Sequence, residues 1–147
     1  MAGLRIGYLY SSAATIQHLN AQRDPHLPTE LSKAAACAAL QAFESQSIAQ
    51  SMQPAAAALA QHFVKLAEHP AIDLHRALGM IAMCRVREEA GGDALARKAC
   101  ALALERGLFT RPLGSVLYLW PPLVATPEEI EAMCAILGGA LADAATS

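Results

Sequence analysis

The order of apolar segments along this chain predicts an α/β or α+β fold, in which a small sheet is covered by helices on one face. Short apolar segments bounded by glycine or proline predict strands. Alanine-rich segments that follow good N-cap residues predict helices. Apolar residues make up 54% of the chain and charged residues 16%, which is enough apolar material for one core. Because only 5% of residues are aromatic, we expect closely packed helices rather than large aromatic anchors.

Five segments have the length and composition of strands, and they lie at residues 4–10, 72–77, 78–86, 108–111 and 115–120. Gly79 predicts a bend or bulge between the second and third of these strands. A turn at residues 112–114 separates the last two, and Pro121 with Pro122 ends the final strand.

The helices are predicted from their start and stop signals. The segments are residues 12–22, 29–45, 47–68, 93–105 and 126–142. Pro54 predicts a kink or a restart within the third helix. Asp93 is the expected N-cap of the fourth helix, and Gly107 the expected residue just beyond its end. Thr126 before Pro127 is a favourable start for the last helix.

Charge and hydropathy argue against several function classes. The formal net charge is −2, so no basic excess is available to bind a nucleic-acid backbone. No apolar run approaches the roughly 20 residues that a membrane-spanning helix needs. No secretion signal is recognisable at the N-terminus, and we expect a cytoplasmic protein. The histidines show no metal-binding spacing, so no metal site is expected. No glycine-rich phosphate loop is present.

The cysteines are Cys37, Cys84, Cys100 and Cys134. None belongs to a C-x-x-C pair, which is the spacing that redox and zinc sites use. We therefore expect them to be buried free thiols in a reducing compartment.

Two residues have positions that suit a ligand-binding role as well as an ordinary structural one. Thr29 is a good N-cap, but a helix N-terminus with a hydroxyl group can also bind a phosphate. Arg111 lies between an apolar segment and a turn, where it is either a solvated surface residue or a carboxylate-binding arginine.

Three segments together resemble class III aminotransferases, which depend on pyridoxal 5'-phosphate (PLP). GLFTRPLGSVLYLWPPLVATPEEIEAM, at residues 107–133, is similar to the end of these enzymes, and most similar to those that act on 8-amino-7-oxononanoate in biotin biosynthesis. HLPTELSKAAACAALQAFES, at residues 26–45, resembles their H-G-P-T segment and the helix that follows it. RALGMIA, at residues 76–82, resembles their R-x-x-G-x-I-x strand pair. Order and spacing agree from about residue 26 to 142.

The resemblance implies a role for several residues. Thr29, with its neighbour Pro28, would bind the cofactor phosphate across a dimer interface. Arg111 would hold a substrate carboxylate. Tyr118 matches a tyrosine in the corresponding strand of the family and would be a second substrate-binding residue. The implied fold is that of the C-terminal domain of a fold-type-I PLP-dependent transferase.

The segment AGLRIGY, at residues 2–8, looks more like class I/II aminotransferases, in which its arginine contacts the cofactor phosphate. Arg5 would then be a third cofactor-binding residue. In both classes this strand follows the Schiff-base lysine, so we expect the chain to begin after that lysine. Residues 1–25 would then be the end of the large cofactor domain and residues 26–147 the small C-terminal domain. The lysines of this chain, Lys33, Lys65 and Lys98, are expected on helix surfaces.

The preferred hypothesis is therefore a portion of a PLP-dependent aminotransferase that transfers an amino group to a keto substrate carrying a carboxylate. Without the Schiff-base lysine this chain would be inactive alone and would contain no catalytic residue. Its partners would be a second copy, the missing large domain and a small-molecule substrate. A non-catalytic interaction module with the small-domain fold is the alternative, and an unrelated α+β protein is a third possibility.

Overall fold

The computed structural model describes Ala14, Gln17 and residues 30–146. Ala14 and Gln17 are both helical, as expected for the predicted helix at residues 12–22. The predicted strand at residues 4–10 lies outside the described residues, as do Arg5, Pro28 and Thr29. The chain divides into two compact units, Met1–Ser47 and Ile48–Ser147.

The described part of the first unit consists mainly of helix α1, Glu30–Ser45, which confirms the helix predicted there. Its alanine-rich sequence favours helix because alanine loses little side-chain entropy on folding. The helix ends in a turn at Ser47, which has a φ of 51°. Leu31, Leu40 and Phe43 are exposed on α1, an unusual environment for large apolar side chains.

The second unit begins with a short helix, α2, Ile48–Ser51, followed by α3, Gln53–Leu66. Pro54 lies in the first turn of α3, where its missing N–H is not needed. The predicted helix at residues 47–68 is therefore two helices, and Pro54 marks a restart rather than a kink.

Three antiparallel strands form one sheet in the order β1-β2-β3: Ile72–Leu78, Ile81–Val86 and Val116–Leu119. Gly79 is the first residue of the two-residue loop between β1 and β2, with a φ of 55° that glycine accepts without strain. The predicted bend is thus a hairpin turn. The irregular register lies elsewhere, between Ile72 and Leu74.

The strand predicted at residues 108–111 was wrong. Residues 109–112 have no regular secondary structure, and within the described part of the chain they form no backbone–backbone hydrogen bonds. The nearest backbone pairing is an isolated bridge between Leu113, which follows this segment, and Val116, the first residue of β3. Pro112 cannot donate a backbone hydrogen bond, and the segment is too short to pair around it.

A 3₁₀ turn, Glu88–Ala90, leads into α4, Gly92–Glu105. The N-cap is Gly91 rather than the expected Asp93, which lies in the first turn without a capping hydrogen bond. The C-terminal prediction was confirmed, because Gly107 follows the helix with a φ of 89°. There the N–H of Gly107 donates to the carbonyl of Leu104 (3.0 Å) and that of Leu108 to the carbonyl of Ala103 (2.9 Å). This pair of hydrogen bonds is a Schellman motif.

Helix α5, Pro127–Thr146, begins at the predicted position and runs four residues beyond the expected end. The N–H of Thr126 donates to Oε2 of Glu129 (2.8 Å), and the N–H of Glu129 donates to Oγ1 of Thr126 (3.3 Å). These reciprocal hydrogen bonds form a capping box, which satisfies backbone groups that a helix start leaves unpaired.

Helices α3 and α4 pack on the sheet, and α5 packs against both of these helices. From the strands, the side chains that enter this core are those of Ile72, Ala82, Cys84, Val86, Leu117 and Leu119. On the opposite face, Leu78, Ile81 and Met83 are not buried, and no helix of the second unit's described residues covers them. The predicted fold class, a small sheet with helices on one face, is confirmed. No helix among the described residues is both long and apolar enough to cross a membrane.

Candidate substrate-binding groove

An open groove of about 340 Å³ lies where β3 ends, beside the irregular segment at residues 109–112. The segment reaches this position because the Schellman motif at Gly107 reverses the chain after α4. The aromatic, polar, charged and sulfur-containing side chains that line the groove are those of Phe109, Thr110, Arg111, Tyr118, Trp120 and Met133.

Arg111 and Tyr118, the two predicted substrate-binding residues, both line this groove. Tyr118 is half-buried on β3, opposite Met83 of β2, whereas Arg111 is exposed. The ion pairs found among the described residues join Asp73 to Arg85, Asp93 to Arg97 and Arg106 to Asp143, and Arg111 takes part in none of them. Its guanidinium is therefore available to an anion that enters the groove.

Two aromatic side chains line the groove together with the arginine. Phe109 is 79% exposed and Trp120 is 72% exposed, although large aromatic residues are usually buried to a greater extent. A ligand that contacted them would cover apolar surface and bring the guanidinium into a drier environment. A charge-assisted hydrogen bond is stronger in such an environment than in bulk water.

Thr110 is a groove residue that the sequence did not single out. Its hydroxyl donates a 2.8 Å hydrogen bond to the carbonyl oxygen of Tyr118. No local pattern predicts this contact, because the two residues are eight positions apart and the contact depends on how the chain returns past β3.

The groove does not contain the groups that would hold PLP. Lys65 and Lys98 are exposed, as predicted, and neither lines the groove. Lys33 is also exposed, on α1 of the first unit. The residues assigned to the cofactor by resemblance, Pro28, Thr29 and Arg5, lie outside the described residues. The guanidinium of Arg111 and the phenol of Tyr118 can both donate hydrogen bonds to a carboxylate.

The cysteines lie outside the groove. Cys84, Cys100 and Cys134 are buried free thiols, as predicted, whereas Cys37 is exposed, which corrects the prediction for that residue. Burial raises the pKa of Cys84 to about 12, with a smaller contribution from neighbouring Cys100. Burial also raises the pKa of Cys134 to about 11, and that of Cys100. No cluster of potential metal ligands occurs among the residues that the structure describes.

A small α+β domain with an arginine on an open groove is a form that many ligand-binding proteins share, so the fold alone does not define a family. Residues 28–141 match the family model described as aminotransferase class-III. The chain belongs to the class III aminotransferase family. The resemblance expected from about residue 26 to 142 is thereby confirmed.

Two curated relatives are both adenosylmethionine-8-amino-7-oxononanoate aminotransferases. The protein from Synechococcus elongatus is 40% identical over 78 residues, which cover 52% of this chain and 18% of the relative. The protein from Anoxybacillus flavithermus is 30% identical over 119 residues, which cover 76% of this chain and 26% of the relative. The chain therefore spans about a quarter or less of the length of these relatives.

Solved transaminase structures share the fold. The adenosylmethionine-8-amino-7-oxononanoate aminotransferase from Methanocaldococcus jannaschii superposes with a TM-score of 0.72 at 28% identity, covering 82% of this chain and 30% of that one. An omega transaminase from Pseudomonas jessenii has a TM-score of 0.74 at 21% identity, covering 88% of this chain and 31% of that one. The second comparison supports the fold alone.

Proposed function

We propose that this chain is part of a PLP-dependent aminotransferase and that its groove holds the carboxylate of a keto substrate. The observation that carries the proposal is the position of Arg111. Its guanidinium lines an open groove with Tyr118 and has no acidic partner among the described residues. The names of the curated relatives favour a keto acid of the 8-amino-7-oxononanoate type, and hence a place in biotin biosynthesis.

The proposed recognition follows from the chemistry of the groove. The planar guanidinium of Arg111 can donate two parallel hydrogen bonds to a carboxylate. The phenol of Tyr118 can donate a further hydrogen bond to an oxygen of the substrate. Phe109 and Trp120 would contact the aliphatic chain that carries the carboxylate. This combination selects a substrate with an anionic end and an apolar body.

PLP, when bound, would supply the electron sink that amino transfer requires. Thr29, Pro28 and Arg5 are the proposed binding residues for its phosphate. We do not assign the cofactor-bearing role to Lys33, Lys65 or Lys98, because all of them are exposed. The chain alone is therefore expected to be inactive. We propose that it works in the cytoplasm with a second copy or a large cofactor domain, and that residues 1–25 belong to the latter and 26–147 to the small domain.

The test of the groove uses hexanoate as a probe and hexanamide as its uncharged counterpart. Trp120 is the only tryptophan of the chain and lines the groove, so its fluorescence reports binding directly. We expect saturable binding of hexanoate and much weaker binding of hexanamide. Arg111→Ala should weaken hexanoate binding roughly 10- to 100-fold, because a hydrogen bond to a charged group contributes about 1.5–3 kcal/mol.

Arg111→Lys should recover part of the affinity, because a lysine keeps the charge but not the planar fork. Arg97→Ala is the matched control, since Arg97 is an exposed arginine on α4 that forms a 4.0 Å ion pair with Asp93 and does not line the groove. Equal binding of hexanoate and hexanamide, or unchanged affinity in Arg111→Ala, would rule out the carboxylate site.

The exposed apolar residues of α1 favour a second candidate, a non-catalytic interaction module. Leu31, Leu40 and Phe43 are large apolar side chains that a partner could bury. An interaction module would associate through α1 without using Arg111. Two results together would favour this candidate over the aminotransferase. The unaltered chain would self-associate without binding hexanoate, and Leu40→Ser would lose the self-association.

A further inference from the structure

The segment that carries Arg111 is held to the domain at its two ends but weakly in between. On one side, the N–H of Leu108 is bonded to Ala103 in the Schellman motif. On the other, Leu113 and Val116 exchange hydrogen bonds of 2.9 and 3.0 Å. Between these anchors, residues 109–112 make no backbone–backbone hydrogen bond within the described chain. Arg111 therefore needs another contact to keep its position in the groove.

β3 is an edge strand of the sheet, since within the described part of the chain it pairs with β2 alone. Val116 directs its N–H and carbonyl to the outer edge, where both are bonded to Leu113. Backbone groups two residues apart on a strand point the same way. The carbonyl of Tyr118 consequently faces the outer edge too, where no further strand of the described residues pairs with it.

The hydroxyl of Thr110 occupies this outer edge and donates its 2.8 Å hydrogen bond to the carbonyl of Tyr118. Thr110 and Tyr118 are both half-buried, so the carbonyl is partly removed from water and gains from a protein partner. The side chain thus replaces the backbone hydrogen bond that a paired strand would have supplied. It also ties the residue before Arg111 directly to Tyr118.

We infer that Thr110 is a positioning residue, whose hydroxyl holds Arg111 and Tyr118 at the separation that carboxylate binding requires. The inference rests on the proposed function of the groove. Without this hydrogen bond, residues 109–112 would spend part of the time in conformations in which the guanidinium is out of place. Ligand affinity falls in proportion to the fraction of molecules in the competent conformation.

The test compares three variants of the whole chain: Thr110→Val, which removes the hydroxyl at nearly constant volume, Thr110→Ser, which keeps it, and Thr126→Val. The last variant breaks a threonine hydrogen bond at the start of α5 and serves as the control for lost stability. For each, hexanoate affinity is measured by Trp120 fluorescence, the NMR order parameter is measured at the Arg111 backbone amide, and Tm is determined.

We expect Thr110→Val to weaken hexanoate binding about fivefold and to lower the order parameter of the Arg111 backbone amide. Thr110→Ser should stay within about twofold of the unaltered chain, because it retains the donor. Thr126→Val should lower Tm and leave the hexanoate affinity unchanged. Thr110→Ala, which also lacks the hydroxyl, gives a second measurement if the valine variant does not fold.

Unchanged affinity and an unchanged order parameter at Arg111 in Thr110→Val would overturn the inference, as would equal losses in the serine and valine variants. A loss of affinity that followed Tm equally in Thr110→Val and Thr126→Val would also overturn it. If hexanoate bound regardless of Arg111, the proposed function would fail by itself. The order parameter at Arg111 in Thr110→Val would still decide whether the hydroxyl orders the segment.

Discussion

Asp73 of β1 and Arg85 of β2 form a bidentate ion pair across the irregular part of the strand register. Nε of Arg85 donates to Oδ1 of Asp73 (2.8 Å) and Nη2 donates to Oδ2 (3.0 Å). The hydrogen bonds that Arg85 donates to Asp73 lower the pKa of Asp73 below its ordinary value of 3.8 and raise the pKa of Arg85. The pair therefore links β1 to β2 where ladder pairing is interrupted.

This lowered pKa predicts how stability depends on pH. Because Asp73 has a lower pKa in the folded chain than in the unfolded chain, its contribution is present above pH 3.8 and is lost as the pH falls below it. Asp73→Asn should lose a small amount of stability at pH 7 and respond less to acid. The urea midpoint at pH 7 and pH 3 measures both effects. The control is Glu89→Gln, at an exposed carboxylate without an ion pair among the described residues. If Glu89→Gln changed the acid sensitivity as much as Asp73→Asn does, the prediction would be contradicted.

Gly107 and Gly138 should respond to alanine in opposite directions. A Cβ at Gly107 would meet no atom within 4 Å, but its φ is 89°, so Gly107→Ala should cost about 1 kcal/mol of unfolding free energy through backbone strain alone. Gly138 lies inside α5, where an added Cβ would make ordinary contact with Leu66 at 3.7 Å. Gly138→Ala should add about 0.5–1 kcal/mol. Urea denaturation of both variants checks the signs, and two changes of the same sign would refute the argument.

The capping box of α5 makes a second stability prediction. Thr126→Ala removes the acceptor for the N–H of Glu129, so we expect a loss of about 1 kcal/mol. Glu129→Gln retains a side-chain oxygen that can accept from the N–H of Thr126, and should change stability by less than about half that amount. A glutamine variant as unstable as Thr126→Ala would show that the charge, rather than the hydrogen bond, is responsible.

The cysteines should differ strongly in reactivity. A thiol reacts as its thiolate, and burial both shields Cys84 and Cys134 and raises their pKa values to about 12 and about 11. We expect a disulfide reagent at pH 8 to modify Cys37 quickly in the folded chain and all four cysteines after denaturation. Cys37→Ser should abolish the fast reaction. Rapid modification of Cys84 in the folded state would contradict the observed burial.

The chain alone should show no amino transfer when PLP is added. Because Lys33, Lys65 and Lys98 are all exposed, borohydride reduction should trap only low and scattered labelling of lysines. Peptide mapping by mass spectrometry distinguishes this result from a single, fully labelled lysine. One fully labelled lysine, together with amino transfer in a coupled assay, would overturn the proposal that the chain is inactive alone.

Much of this fold was predictable because its signals are local. Thr126 reaches Glu129 within one turn, and Gly107 closes α4 through hydrogen bonds that span at most five residues. Pro54 marks a helix start because its ring fixes φ and removes the backbone N–H. The resemblance likewise placed Arg111 and Tyr118 together before their groove was known. In each case the interactions that decide the outcome lie within a few positions along the chain or within a single motif.

What the sequence could not decide depended on partners distant in the chain. Residues 108–111 have the composition of a strand, but a strand forms only where a neighbouring strand pairs with its backbone. Within the described chain, this segment is joined to β3 by the side-chain hydrogen bond from Thr110 to Tyr118 and by no backbone hydrogen bond. Burial of the cysteines also depends on distant partners, since Cys37 is exposed on α1 whereas Cys84 is buried in the core that the helices of the second unit form with the sheet. Composition and periodicity determine which segments can form helices and strands. Only the packing of segments far apart in sequence decides which backbone groups are paired and which side chains lose contact with water.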